Sequence, residues 1–115
     1  MSRARRERRL RAEERWPLLA NLMTAHFNED YAILFGSLDG SFAAATRDGS
    51  LEYRRAVLKE WRGWNATEGP VSDIRPFLKD GFSVALFFRS SIEARNFMNR
   101  LYDELLIGVK AATQY

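Results

Sequence analysis

SSIEARNFMNRLYDELLIGVK, residues 90–110, is the stretch that decides the fold class, because it carries the clearest helical pattern in the chain. Its apolar side chains recur at spacings of three and four, which is the period of an amphipathic helix. Ser90, followed three residues later by Glu93, forms a capping box that marks where the helix begins. One face of the helix is apolar and consists of Ala94, Phe97, Met98, Leu101, Tyr102, Leu105 and Val109.

A similar pattern upstream predicts four shorter helices. Two Asp-Gly-Ser tripeptides, at residues 39–41 and 48–50, indicate turns that each end in a serine N-cap. The predicted helices run from Trp16 to about Asn28, from Phe42 to Arg47, from Ser50 to about Asn65, and from Ser72 or Asp73 to Lys79.

Two apolar segments, Tyr31–Phe35 and Val84–Phe88, are too short for periodicity to decide between a strand and a buried connector. The number of helices favours an all-α fold, a compact bundle of about five helices joined by short loops. If the two segments pair with each other, the fold class becomes α+β, with one small two-stranded sheet. The sequence leaves this alternative open.

Length and composition indicate one compact domain. The chain has 115 residues, of which 46% are hydrophobic and 13% aromatic, enough to bury one core. It has no cysteine, which excludes disulfides and thiolate metal sites and fits a reducing cytoplasm. No apolar run approaches the roughly 18 to 20 residues that span a bilayer, and no secretory signal follows the basic start. We therefore expect a soluble, cytoplasmic protein without a membrane partner.

The formal net charge of +3 is unevenly distributed along the chain. Residues 1–15 carry seven arginines and three glutamates, whereas residues 16–115 carry eleven basic and twelve acidic side chains. Because the first segment has almost no apolar side chain beyond Leu10, we expect residues 1–15 to be a basic arm, a frayed or extended helix in solvent. Its removal should then have little effect on stability, and residues 16–115 should form a single helical domain.

The sequence contains no recognisable catalytic or metal-binding constellation. His26 is the only histidine, and one histidine without cysteine does not make a usual zinc site. A helix-end histidine bonded to Asp30 is the simpler interpretation. Glu29 and Asp30 are adjacent in sequence, so they do not converge as a general acid and base do, and residues 36–41 lack the lysine of a phosphate loop. We predict a protein that is not an enzyme, with no catalytic residue, no metal and no cofactor.

Three successive segments resemble the opening of the contact-dependent growth inhibition immunity proteins of bacteria. In that family the opening is approximately a hydrophobic helix, then Ala-Tyr-Phe-His-Gln-Asp-Trp, then Tyr-Gly followed by Ser or Thr. The corresponding segments here are WPLLANL at 16–22, AHFNEDY at 25–31 and FGS at 35–37. Phe27, Asp30 and the aromatic Tyr31 match, whereas His26 replaces an aromatic residue and Asn28-Glu29 replaces His-Gln. The later helices fit the family's layout, so the resemblance covers residues 16–106.

The resemblance implies an immunity protein, that is, a cytoplasmic protein whose gene lies beside a toxin gene. Such a protein binds and neutralises the C-terminal toxic domain, often a nuclease, that a neighbouring cell delivers. Nuclease toxins carry basic substrate clefts, so a carboxylate patch that mimics phosphate would speed association. The residues predicted to bind the toxin are Glu29, Asp30, Tyr31, Asp39, Asp48 and Glu52.

The alternative is a small nucleic-acid-associated regulator that uses the arginine-rich arm, since arginine side chains bind phosphates. The arm has no interleaved aromatic residue, and residues 16–115 have no second basic patch. We therefore expect nucleic-acid binding to be weak and confined to residues 1–15. The two proposed functions differ in the role of the arm: the regulator needs it for nucleic-acid binding, whereas the immunity protein does not.

Overall fold

The computed structural model describes residues 2–113, and within them it is all-helical, which confirms the predicted fold class. The described residues form seven helices: α1 (Arg3–Arg15), α2 (Pro17–His26), α3 (Tyr31–Phe35), α4 (Leu38–Arg47), α5 (Leu51–Thr67), α6 (Arg75–Asp80) and α7 (Ser91–Ala112). About five were expected, and the two additional helices are α1, made by the basic arm, and α3. No helix in the described part of the chain is long and apolar enough to cross a membrane.

Two of the predicted serine caps are confirmed. Ser90 accepts a hydrogen bond from the Glu93 N–H (3.2 Å) at the start of α7, as the capping box predicts. Ser50 accepts one from the Tyr53 N–H (3.0 Å) at the start of α5. Gly49, with a φ of 86°, makes the turn before this cap, because an L side chain rarely adopts that conformation.

The predicted turn at residues 39–41 is wrong. Ser37 caps α4 earlier, by accepting a hydrogen bond from the Gly40 N–H (3.0 Å), so the helix already begins at Leu38. Ser41 consequently lies buried inside α4. A side chain at Gly40 would overlap the Phe35 carbonyl, so glycine at this position is what lets α4 start directly against the end of α3.

Neither ambiguous segment forms a strand, so the small two-stranded sheet is not supported. Residues 31–35 make α3. Residues 83–88 are irregular, and two of their N–H groups bond to helix ends: the Val84 N–H donates to the Leu78 carbonyl (3.0 Å) and the Ala85 N–H to the Phe27 carbonyl (2.9 Å). Helix C-termini leave carbonyls without internal partners. These carbonyls bind the donors that a neighbouring strand would otherwise have bound.

The core lies between α7 and the helices packed around it. Phe27, Phe42 and Phe97 are buried, and the Phe27 ring packs edge-on against the other two at centroid distances of 5.0 and 4.9 Å. Trp61 of α5 is also buried, and its indole N–H donates to the Met98 carbonyl (3.1 Å). Side chains from α4, α5 and α7 and from the end of α2 therefore share one core.

The basic arm differs from the solvated segment that the sequence predicts. α1 packs against α2 and α6. Asp80, at the end of α6, accepts hydrogen bonds from Arg5 (3.2 Å) and Arg8 (2.8 Å), and Glu68, just after α5, accepts one from Arg11 (2.9 Å). Arginine packs through its apolar stem and bonds carboxylates through its guanidinium, so a helix with little apolar surface can still dock.

A side chain from another helix fixes the N-terminus of α2. Glu60 of α5 accepts hydrogen bonds from the N–H groups of Leu18 (2.9 Å) and Leu19 (3.0 Å). These N–H groups are among the four that a helix cannot bond internally, and a carboxylate suits the positive end of the helix dipole. The contact holds α2 against α5 and thereby positions residues 27–30, which follow α2.

Candidate protein-binding site

A groove of about 670 Å³ opens beside the C-terminal end of α2. Residues 28–30 line one side of it, and residues 83–87 also line it. Its charged side chains are the carboxylates of Glu29 and Asp30 and the ammonium of Lys79. We call this surface the Asp30 groove. It brings together two of the six residues predicted to bind a toxin.

Asn28 builds the turn that presents these two carboxylates. Its side-chain NH₂ donates to the Thr24 carbonyl (3.0 Å), and its side-chain oxygen accepts a hydrogen bond from the Asp30 N–H (2.8 Å). Asparagine favours such local turns because its short side chain can bond nearby main chain. Glu29 and Asp30 are exposed beyond the turn, where a partner can reach them.

α3 follows the turn directly and exposes two large apolar side chains, Ile33 (84% exposed) and Leu34 (59%). Phe35 anchors the helix by stacking on His26 at a centroid distance of 5.3 Å. His26 Nδ1 lies 2.8 Å from a main-chain carbonyl one turn earlier in α2, so that carbonyl, and not Asp30, is its partner. Exposed apolar side chains grouped beside charged ones are typical of an interaction surface.

The other four predicted residues lie outside the Asp30 groove. Tyr31, the first residue of α3, is half-buried. Asp39, in the first turn of α4, pairs with Arg100 of α7 at 2.8 Å. Asp48 and Glu52 lie beyond the other end of α4, whose ten residues span about 15 Å. The predicted carboxylates are therefore spread over both ends of α4.

One exposed aromatic side chain was not singled out from the sequence. Phe87 is 86% exposed. It belongs to residues 83–88, which Arg75 holds by donating to the main-chain carbonyls of Phe88 (3.4 Å) and Arg89 (3.1 Å). An unbroken apolar run such as VALFF has no period that shows which side chain faces outward. Only the fold reveals the exposure of Phe87.

Arg75 also pairs with Asp73, and this pairing has a measurable consequence. Side-chain hydrogen bonds from Arg75 (2.8 and 3.0 Å) hold the pKa of the Asp73 carboxyl below its ordinary value. We expect Arg75→Gln to raise this pKa, as followed by NMR titration of the Asp73 carboxyl carbon. Because the pKa is lowered in the folded state, the pair stabilises the fold above the unfolded-state pKa, and the contribution is lost as the pH falls through the folded-state pKa.

An Asp73 pKa that stays where it is in Arg75→Gln would contradict the assigned pairing.

Charge and shape define what the Asp30 groove can do chemically. Its exposed carboxylates attract cations, and the apolar side chains of α3 beside it become buried only if another molecule covers them. No group of three His, Asp or Glu side chains that could hold a metal ion is found among residues 2–113. No family model, curated protein or solved structure matches the chain.

Proposed function

We propose that this protein is an immunity protein, which binds and neutralises a toxin domain encoded beside its own gene and acts in the cytoplasm. The observation that carries the proposal is the Asp30 groove together with α3, where two carboxylates lie next to two exposed apolar side chains. A nuclease toxin presents a basic substrate-binding surface, so a partner of this class matches the groove in charge. The protein would act by covering that surface and not by catalysis.

The apolar and charged parts of this surface have different roles. Burying Ile33 and Leu34 against a partner would contribute about 1.5 to 3 kcal/mol for each side chain that becomes fully covered. Glu29 and Asp30 are exposed, and charges at the rim of an interface mainly raise the association rate and select the partner. Affinity is therefore expected to come from exposed apolar side chains such as those of α3, and the fast association from the charged turn before it.

The residues that carry the family resemblance divide between the core and the surface. Phe27 is fully buried, so packing alone accounts for an aromatic residue at this position. Asp30 is exposed in the groove, and Tyr31 is half-buried at the start of α3. Asp30 is thus the matching position whose location best suits contact with a partner.

The alternative, a nucleic-acid-associated regulator, has less support. Arg5, Arg8 and Arg11 bond to carboxylates outside α1, while Arg3 and Arg9 pair with glutamates of α1 itself. Phosphate binding requires cationic side chains that are free to contact the phosphates and displace the counterions condensed on the nucleic acid. Much of the arm's positive charge is instead balanced within the fold.

Complex formation tests the proposed function. We expect a 1:1 complex with the C-terminal domain of the toxin encoded next to this gene. Its Kd should be about 1 nM or lower, which corresponds to roughly −12 kcal/mol. Size-exclusion chromatography with light scattering measures the stoichiometry, and calorimetry the affinity. Separate elution of the two proteins at micromolar concentrations would overturn the proposal.

A double variant that removes two negative charges, Glu29→Gln with Asp30→Asn, tests whether the Asp30 groove contacts the toxin domain. Its association with the toxin domain should be about tenfold slower than that of the wild type, and less sensitive to salt, because the steering charges are gone. The matched control is Asp48→Asn with Glu52→Gln, which removes two exposed carboxylates beyond the far end of α4. Slower association in the control alone would move the interface to that end.

A further inference from the structure

Three grooves meet at Phe87. The side chain lines the Asp30 groove, a second groove of about 390 Å³ formed with α1 and α6, and a third of about 300 Å³ formed with α4 and α7. Large aromatic side chains contribute most at interfaces when they sit near the centre of the contact and are surrounded by surface that excludes water. A partner that fills these grooves would surround the Phe87 ring and meet this condition.

The main chain on both sides of Phe87 is fixed. The N–H groups of residues 84–85 bond to helix ends, and Arg75 bonds the carbonyls of residues 88–89. Between them, no hydrogen bond within residues 2–113 involves the main chain of Leu86 or Phe87. Phenylalanine has only two side-chain torsions, so a ring on a fixed main chain loses little conformational entropy when it is covered.

We infer that Phe87 is the apolar anchor of the toxin interface, and that the Asp30 groove beside it holds an extended, cationic segment of the toxin domain. The inference rests on the proposed function and states how the partner is held. Glu29 and Asp30 outweigh Lys79 among the side chains that line the groove. Arg9 reaches the same groove by donating to Ser83 (3.1 Å), but it is paired with Glu13, so the groove stays negative and favours a cationic occupant. The occupant can also bond the free main-chain groups of residues 86–87.

Phe87→Ala tests the anchor against the purified C-terminal domain of the neighbouring toxin. We expect the Kd to rise about 30-fold or more, mainly through faster dissociation, with the association rate within about twofold of wild type. The matched control, Ile107→Ala, removes an exposed apolar side chain on α7 that lines none of the three grooves. It should leave both rates unchanged, and both variants should melt as the wild type does.

Amide hydrogen exchange gives a second measurement that needs no substitution. In the complex, the amide protons of Leu86 and Phe87 should exchange about tenfold or more slowly than in the free protein, because the bound segment covers them. Suppose that the wild type binds the toxin domain, that Phe87→Ala binds it equally well, and that these amides stay unprotected in the complex. The inference about Phe87 is then overturned, and the proposed immunity function stands. If the wild type does not bind, both are overturned.

Discussion

Replacing Phe27 by alanine is expected to destabilise the fold by about 3 to 5 kcal/mol, the range for removing a buried phenylalanine ring. Phe27 is fully buried, and its ring lies edge-on between Phe42 of α4 and Phe97 of α7. A cavity at this point removes the contacts that Phe42 and Phe97 both make with the end of α2. For a chain of this size the melting temperature should fall by more than about 10 °C.

Phe87→Ala is the matched control, because it removes the same ring from an exposed position. It should change the free energy of unfolding by no more than about 0.5 kcal/mol. Denaturation with guanidinium, fitted at equal slope for both variants, measures the difference. Similar destabilisation by the two substitutions would contradict the assignment of Phe27 to the core and of Phe87 to the surface.

Removing residues 2–14 is expected to destabilise the remaining chain by about 3 kcal/mol or more, since hydrogen bonds to charged groups contribute roughly 1.5 to 3 kcal/mol each. The deletion leaves two mostly buried carboxylates without their arginines: the side chain of Asp80 is 11% exposed and that of Glu68 is 18% exposed. It also removes the fully buried Ala12. This expectation reverses the one drawn from the sequence, in which the arm contributes little to stability.

Two pairs of arginine substitutions distinguish the loss of the hydrogen bonds that hold α1 from the loss of positive charge alone. Arg5→Ala with Arg8→Ala removes both donors to Asp80, whereas Arg6→Ala with Arg15→Ala removes the same charge from side chains that make no hydrogen bond within residues 2–113. Thermal melts should show a clear loss of stability for the first pair and almost none for the second. Equal stability of the two variants would mean that α1 is not held by these bonds.

The fold class could be predicted because the helix signals are local. The α7 pattern and the caps at Ser90 and Ser50 depend on residues three or four apart, so the sequence alone shows them. The start of α4 differs from the predicted one because two serines, Ser37 and Ser41, compete as its cap, and Ser37 comes first along the chain. Residues 31–35 were ambiguous because five residues are fewer than two helical turns.

The docking of α1 was unpredictable for a different reason. Its contacts join Arg5 and Arg8 to a residue more than seventy positions away, and the pattern of α1 alone shows only a polar helix. Of the residues predicted to bind a toxin, Glu29 and Asp30 line one groove, whereas Asp39 is paired with Arg100 across the fold, which the sequence could not show. Exposure of Ile33, Leu34 and Phe87 depends on which faces the other helices leave uncovered.

Protection of cells is the most direct test of the proposed function. A strain that produces the toxin domain from the neighbouring gene is given either the wild-type protein, Phe87→Ala with Glu29→Gln and Asp30→Asn, or the control Ile107→Ala, at equal expression. We expect the wild type and the control to restore growth, and the triple variant, which retains its core, to protect poorly. Growth arrest in cells that accumulate folded wild-type protein would contradict the immunity function.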